Sequence, residues 1–191
     1  MLNRRQIFRG AAAATAAVTL STLPGLAFAQ HAISADQIER SLKVAPKLLL
    51  PFNNRIKRKE LRHRQDLRIV APSIDIHAIN FEFGSDRIPR NQRWKVREIA
   101  RAMRRMLRRD PYEVFLIEGH TDAVSSHRFN QHLSERRAAS LKRLLVRRFG
   151  INPYALETVG FGEEYLLVPT PYEEWRNRRV TLRRVTDIVT G

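Results

Sequence analysis

Apolar residues recur along this 191-residue chain with two different periods. Val96, Ile99, Ala100, Met103 and Leu107 return at helical intervals, which predicts an amphipathic helix over about residues 92–108. Leu133, Leu141, Leu144, Leu145 and Phe149 repeat at the same period before Gly150, predicting a second helix over residues 134–149 with Ser134 as its cap. Elsewhere the pattern is that of strands. Ile74, Ile76, Ala78, Phe81 and Phe83 form a first strand whose alternation slips near Asn80, and Phe115 to Ile117 is a short apolar run stopped by Gly119. Leu156 to Gly162 reads as a third strand ending in a glycine turn. In the last, Val180 and Leu182 alternate with Arg179, Thr181 and Arg183, giving one basic face. The predicted order is β-α-β-α-β-β, an α/β (α+β) domain over residues 73–186, followed by a frayed tail at 187–191.

Two segments precede this domain. Residues 1–29 carry Arg4 and Arg5, an alanine-rich apolar run and a small-x-small end at Ala27 to Ala29, the pattern of a secretory signal cleaved after Ala29. The paired arginines before Ile7 and Phe8 resemble a twin-arginine export signal, which carries proteins already folded. The apolar run is shorter than the roughly 20 residues that span a bilayer, so no transmembrane segment is expected after cleavage. Residues 30–72 read as a basic extension or linker. Within it Ser34 to Gln37 matches a capping box, and Ile38, Leu42 and Val44 would line one side of a short helix.

Composition adds a partner class. The formal charge is +16, and removing the leader leaves 32 basic against 19 acidic residues, a charge of +13 over 162 residues. The basic run from Arg55 to Arg68 and the arginines at 93, 97, 101, 104, 105, 108 and 109 suit an anionic lipid surface, an acidic polymer or another envelope protein. Nucleic acid would fit the charge but not an exported protein. The absence of cysteine excludes disulfides, a thiolate nucleophile and a lipid-anchor cysteine.

The candidate chemistry lies between the second strand and the second helix. Asp122, in the loop, can accept from an ammonium, and Arg137 can bind a carboxylate through two parallel hydrogen bonds. Within a helix beginning at Ser134, Arg137 falls in the first turn, where the dipole disfavours a cation. Taken singly, Asp122 is an ordinary turn residue, and Arg137 would pair with Glu118 or Glu135.

Three blocks taken in order change that reading: Gly119-His120-Thr121-Asp122; Asn130 with the run Leu133, Ser134, Glu135, Arg136, Arg137, Ala138; and Asn177-Arg178-Arg179-Val180. Together they resemble the OmpA-like peptidoglycan-binding domain over about residues 74–185. The resemblance implies a mixed sheet with both helices on one face. It also implies a periplasmic, wall-associated protein, peripheral to the outer membrane, that binds peptidoglycan noncovalently through the diaminopimelate-type residue of the stem peptide. Asp122 and Arg137 would hold the ligand, and Thr121, Asn130, Leu133 and Ser134 would form the pocket wall. Phe83, Ser85, Arg178 and Arg179 would be supporting positions, one of the last two serving the fold. Gly84 stands where the family usually has Asp or Asn. Gly160-Phe161-Gly162-Glu163 matches the family's glycine turn.

No catalytic residue, cofactor or metal is expected. His120 has no second ligand at metal spacing, and Ser125, Ser126 and His127 are sequence neighbours without an oxyanion element.

Overall fold

The computed structural model describes residues 33–48, 50–51, 54–64, 66–76, 79, 81 and 84–190, with Leu67 described for its backbone alone. The expected leader and Phe83 lie outside the described residues.

The main sheet has four strands: β2 (Ser73–Ile76), β3 (Phe115–Gly119), β4 (Leu156–Gly160) and β5 (Val180–Arg184). Their order is β2-β5-β3-β4, so β5, the last to be made, lies inside the sheet between the first two. It runs antiparallel to both, pairing Ile76 with Val180 on one side and Gly119 with Val180 on the other. β3 and β4 are parallel, with Phe115 opposite Leu156 and Gly119 opposite Gly160.

Two long helices connect these strands: α3 (Arg93–Arg109) after β2 and α4 (His127–Phe149) after β3. The apolar stripe of α3, Val96, Ile99, Ala100, Met103 and Met106, is buried against Phe115, Ile117, Ile76 and Leu182. This is a mixed sheet with its long helices on one face. The strand pleat sends alternate residues the other way. Leu116, Val159 and Phe161 therefore join a second core with Ile56, Leu61, Ala71, Val185 and Ile188.

The segment before the sheet contributes to both cores. α1 (Ala35–Leu42) is capped by Ser34, whose Oγ accepts from the Gln37 N–H at 3.2 Å. Ile38 and Leu42 are buried, but Val44 lies past the helix end and is exposed, contrary to its expected place on the apolar side. Asp36 accepts from Arg105 and Glu39 from Arg109, which fixes α1 against α3. On the opposite face, β1 (Ile56–Lys57) precedes the short α2 (Leu67–Val70), from which Arg68 reaches Glu118 of β3 at 3.3 Å.

The tail is not frayed as expected. β6 (Val189–Thr190) pairs in parallel with β1, Ile56 opposite Val189, because Ile188 and Val189 find buried places in the second core.

Candidate ligand-binding site

The site forms where β3 ends. Beyond Gly119 the chain stays tied to its neighbours: His120 N–H donates to the Arg179 carbonyl at 3.0 Å, and Thr121 N–H to the Gly162 carbonyl at 2.8 Å. These bonds fix the backbone leading into Asp122, which is only 5% exposed. The chain then turns into α4, whose cap is Ser126; its Oγ accepts from the Phe129 N–H at 3.3 Å.

The early start of α4 corrects two expectations. Ser134 is not a cap but lies within the helix, fully buried, donating to the Gln131 carbonyl at 2.7 Å and accepting from the Gly162 N–H at 2.8 Å. Arg137 is not in the first turn, so the helix dipole does not bear on it. It faces the sheet from mid-helix, and Gly119 and Gly160 explain how the helix comes so close. A Cβ on Gly119 would stand 2.1 Å from the Ser134 carbonyl oxygen, and one on Gly160 would stand 2.4 Å from its Oγ.

Arg137 is 1% exposed, among the largest fully buried side chains. Its Nε donates to the Ser85 carbonyl at 3.0 Å, one Nη reaches the His120 carbonyl at 3.5 Å, and its guanidinium lies 4.9 Å from the centre of the Phe81 ring. Burial pulls its pKa down to about 10, against the opposing field of Asp122, so it remains a cation at neutral pH. The loop holding Ser85 turns at Gly84, whose φ of 67° is the left-handed conformation that Gly, Asn and Asp adopt most readily. The glycine at this position thus keeps the backbone shape that an Asn or Asp would take.

Asp122 Oδ2 accepts from Arg178 at 2.8 Å, a partner 56 residues away. Arg179, expected beside it as an alternative support, serves the fold: it is buried, donates to the Tyr165 carbonyl at 3.0 Å and meets Asp75 at 3.4 Å. Asn130 donates to the Ser125 carbonyl at 3.1 Å and to Glu163, and Leu133 is buried behind it. Thr121 Oγ1 is buried with no hydrogen-bond partner among the described residues. The arrangement therefore offers a buried cation, a buried carboxylate and an unsatisfied hydroxyl.

Glu118 does not take the role that a lone Arg137 would have suggested. The pleat turns it to the opposite face, where it accepts from Arg183 at 2.5 Å and lies 3.3 Å from Arg68. Burial works against its charge, but hydrogen bonding from His120 and the two arginines outweighs it and holds the carboxyl below its ordinary range. His120 is buried beside it, stacked on Phe161 with ring centres 5.9 Å apart, and burial keeps it neutral. Sequence reading missed this cluster, and it named Arg178 as a supporting position without pairing it with Asp122. The alternation of Arg179, Thr181 and Arg183 marked the basic face, but no sequence signal placed Glu118 against it. Ser126 caps a helix, which accounts for its place beside His127. Among the described residues no helix is long and apolar enough to cross a membrane.

Comparison with known proteins covers this region. Residues 80–179 match the OmpA family. The chain is 32% identical over 104 residues to outer membrane porin F of Pseudomonas aeruginosa, a match covering 53% of this chain and 29% of the porin. It is 42% identical over 72 residues to the peptidoglycan-associated lipoprotein of the same organism, covering 36% of this chain and 42% of the lipoprotein. The chain thus spans less than half the length of these relatives. Among solved structures, the peptidoglycan-associated lipoprotein from Burkholderia pseudomallei aligns with a TM-score of 0.48 and 26% identity, over 56% of this chain and 87% of that one.

Proposed function

The chain belongs to the OmpA family, and from that membership we propose that it binds peptidoglycan noncovalently in the cell envelope, through a diamino acid of the stem peptide. The observation that carries this reading is the withdrawal of Asp122 and Arg137 from water at one strand end. A buried charge is costly to the fold unless it is matched, so two opposite ones set close together suit a ligand with an ammonium and a carboxylate on one carbon. The ligand carboxylate would approach Arg137. Its ammonium would donate to Asp122, whose Oδ2 already accepts from Arg178 and whose other oxygen has lone pairs to offer. The unsatisfied Thr121 hydroxyl supplies one more polar contact.

Shelter sets the affinity. A charge-assisted hydrogen bond in such a place contributes about 1.5–3 kcal/mol, against about 0–1 kcal/mol for an exposed pair. Nothing in the reading requires bond making or breaking. The family match and the printed name of the peptidoglycan-associated relative support it, as does the expected export of the chain by residues 1–29, which would deliver it to the periplasm.

Cosedimentation with purified peptidoglycan sacculi tests the proposal. The wild-type protein is expected to pellet at low and high salt, whereas folded Asp122→Asn and Arg137→Met remain in the supernatant. Pelleting of both variants to the wild-type extent would overturn the reading.

A further inference from the structure

The arginines of α3 do not form one continuous stripe. Those near its C-terminal end are engaged by α1, Arg105 by Asp36 and Arg109 by Glu39. Those near its start stand differently: among the described residues no acidic side chain pairs with Arg90, Arg93 or Arg97. The C-terminal end of α4 approaches the same place. Two grooves open between the helices, one of about 230 Å³ walled by Arg87, Arg93, Arg143 and Arg147, the other of about 450 Å³ walled by Arg90, Arg93, Arg97 and Arg148. Arg93 lines both, and its Nε is buried without a hydrogen-bond partner. Among the described residues, the acid contact made by a groove-wall arginine is a long one, Asp86 to Arg143 at 3.9 Å.

Local helix chemistry explains only part of this. Arg147 and Arg148 occupy the last turn of α4, where the dipole favours cations. Arg93 opens α3, where it disfavours a cation, with Arg97 one turn on; that first turn holds no acid, and Gln92 makes no side-chain capping bond. Arg93 thus acts against its own helix, which an external anion would reverse. Trp94, 37% exposed, lies among them in the wall of the larger groove.

We propose that this face docks on a bilayer surface rich in anionic phospholipid, with headgroup phosphates entering the two grooves and Trp94 seated at headgroup level. Guanidinium groups bind phosphate through paired donors, and tryptophan is the side chain enriched at that depth of a membrane. A protein partner would call for a patch whose centre is depleted in charge. A nucleic-acid strand would call for successive exposed stacking aromatics, whereas here Trp94 is at the surface and Phe149 packs against the core.

The test uses the full chain, so that residues 1–29 are common to every variant, with vesicles of phosphatidylcholine alone or with about 30% phosphatidylglycerol. Arg93→Gln with Arg97→Gln is compared with a charge-matched control, Arg108→Gln with Arg128→Gln, exposed arginines outside the face. All four side chains lie at the surface or its edge, and melting curves check that the variants fold. The face variant is expected to lose about thirtyfold in affinity for the anionic vesicles at low salt, while the control keeps wild-type affinity. In a Trp175→Phe background, Trp94 emission should shift to the blue on anionic vesicles only. Sacculus binding should be unchanged in both variants, which separates this surface from the Asp122 and Arg137 site. Equal losses in face variant and control, undiminished binding by the face variant, or retention of a single-stranded oligonucleotide or an acidic polypeptide in place of vesicles would overturn the proposal.

Discussion

Arg137 and Gly119 show how much rests on single side chains. Replacing Arg137 by methionine removes the donor from two carbonyls, yet relieves the cost of holding a cation out of water. The two effects oppose each other, so Arg137→Met is expected to destabilise by no more than about 2 kcal/mol, as measured by urea unfolding. Gly119 allows no such compensation. An added methyl meets helix backbone at 2.1 Å, and Gly119→Ala should cost about 3 kcal/mol or more. Gly84 is the opposite case: its Cβ position is open, with nothing within 4 Å. Gly84→Asn is therefore expected to unfold within about 0.5 kcal/mol of wild type in the same assay. The closeness of Asp122 to Arg137 was legible in the sequence because the two lie in one local motif, a strand end and the helix that follows. Arg178 at Asp122 was not, since its approach depends on β5 entering the sheet.

At the scale of elements, α4 was foreseen from residue 134 and begins at His127. Its buried face runs Asn130, Leu133, Ser134, Arg137, Ala138, Leu141, Leu145, a continuous helical stripe. Three of those positions are polar, so the apolar period vanishes where the candidate site begins. The same polarity that marks the site conceals the helix turn bearing it. α1 was foreseen from its capping box, but not its dependence on α3. Lys43 and Arg109, bound to the Glu39 carboxyl, hold its pKa at about 2 against an ordinary 4.5. A carboxyl with a depressed folded pKa stabilises above its unfolded value and loses that contribution as pH falls. Between wild type and Glu39→Gln the difference in melting temperature should thus be largest above pH 5 and shrink towards zero near pH 2.

For the molecule as a whole, the strand and helix order was legible because each strand carries an alternation or a short apolar run bounded by a turn, and each long helix a substantial apolar stripe. What covers the second face of the sheet was not. Ile56, Leu61 and Ala71 are widely spaced among basic residues and show no period, yet they shield Leu116, Val159 and Phe161. We infer that the folding unit begins near residue 33, and a chain starting at residue 73 should melt about 10 °C or more below the full-length protein in calorimetry. The position of β5 has a consequence for synthesis. Until residues 180–184 leave the ribosome, β2 has no neighbour in the main sheet, and β3 with β4 is a two-stranded ribbon, too small to be stable by itself. The nascent chain cannot assemble its sheet progressively from the N-terminus; the sheet closes in one late step, once residues 180–184 are free to pair.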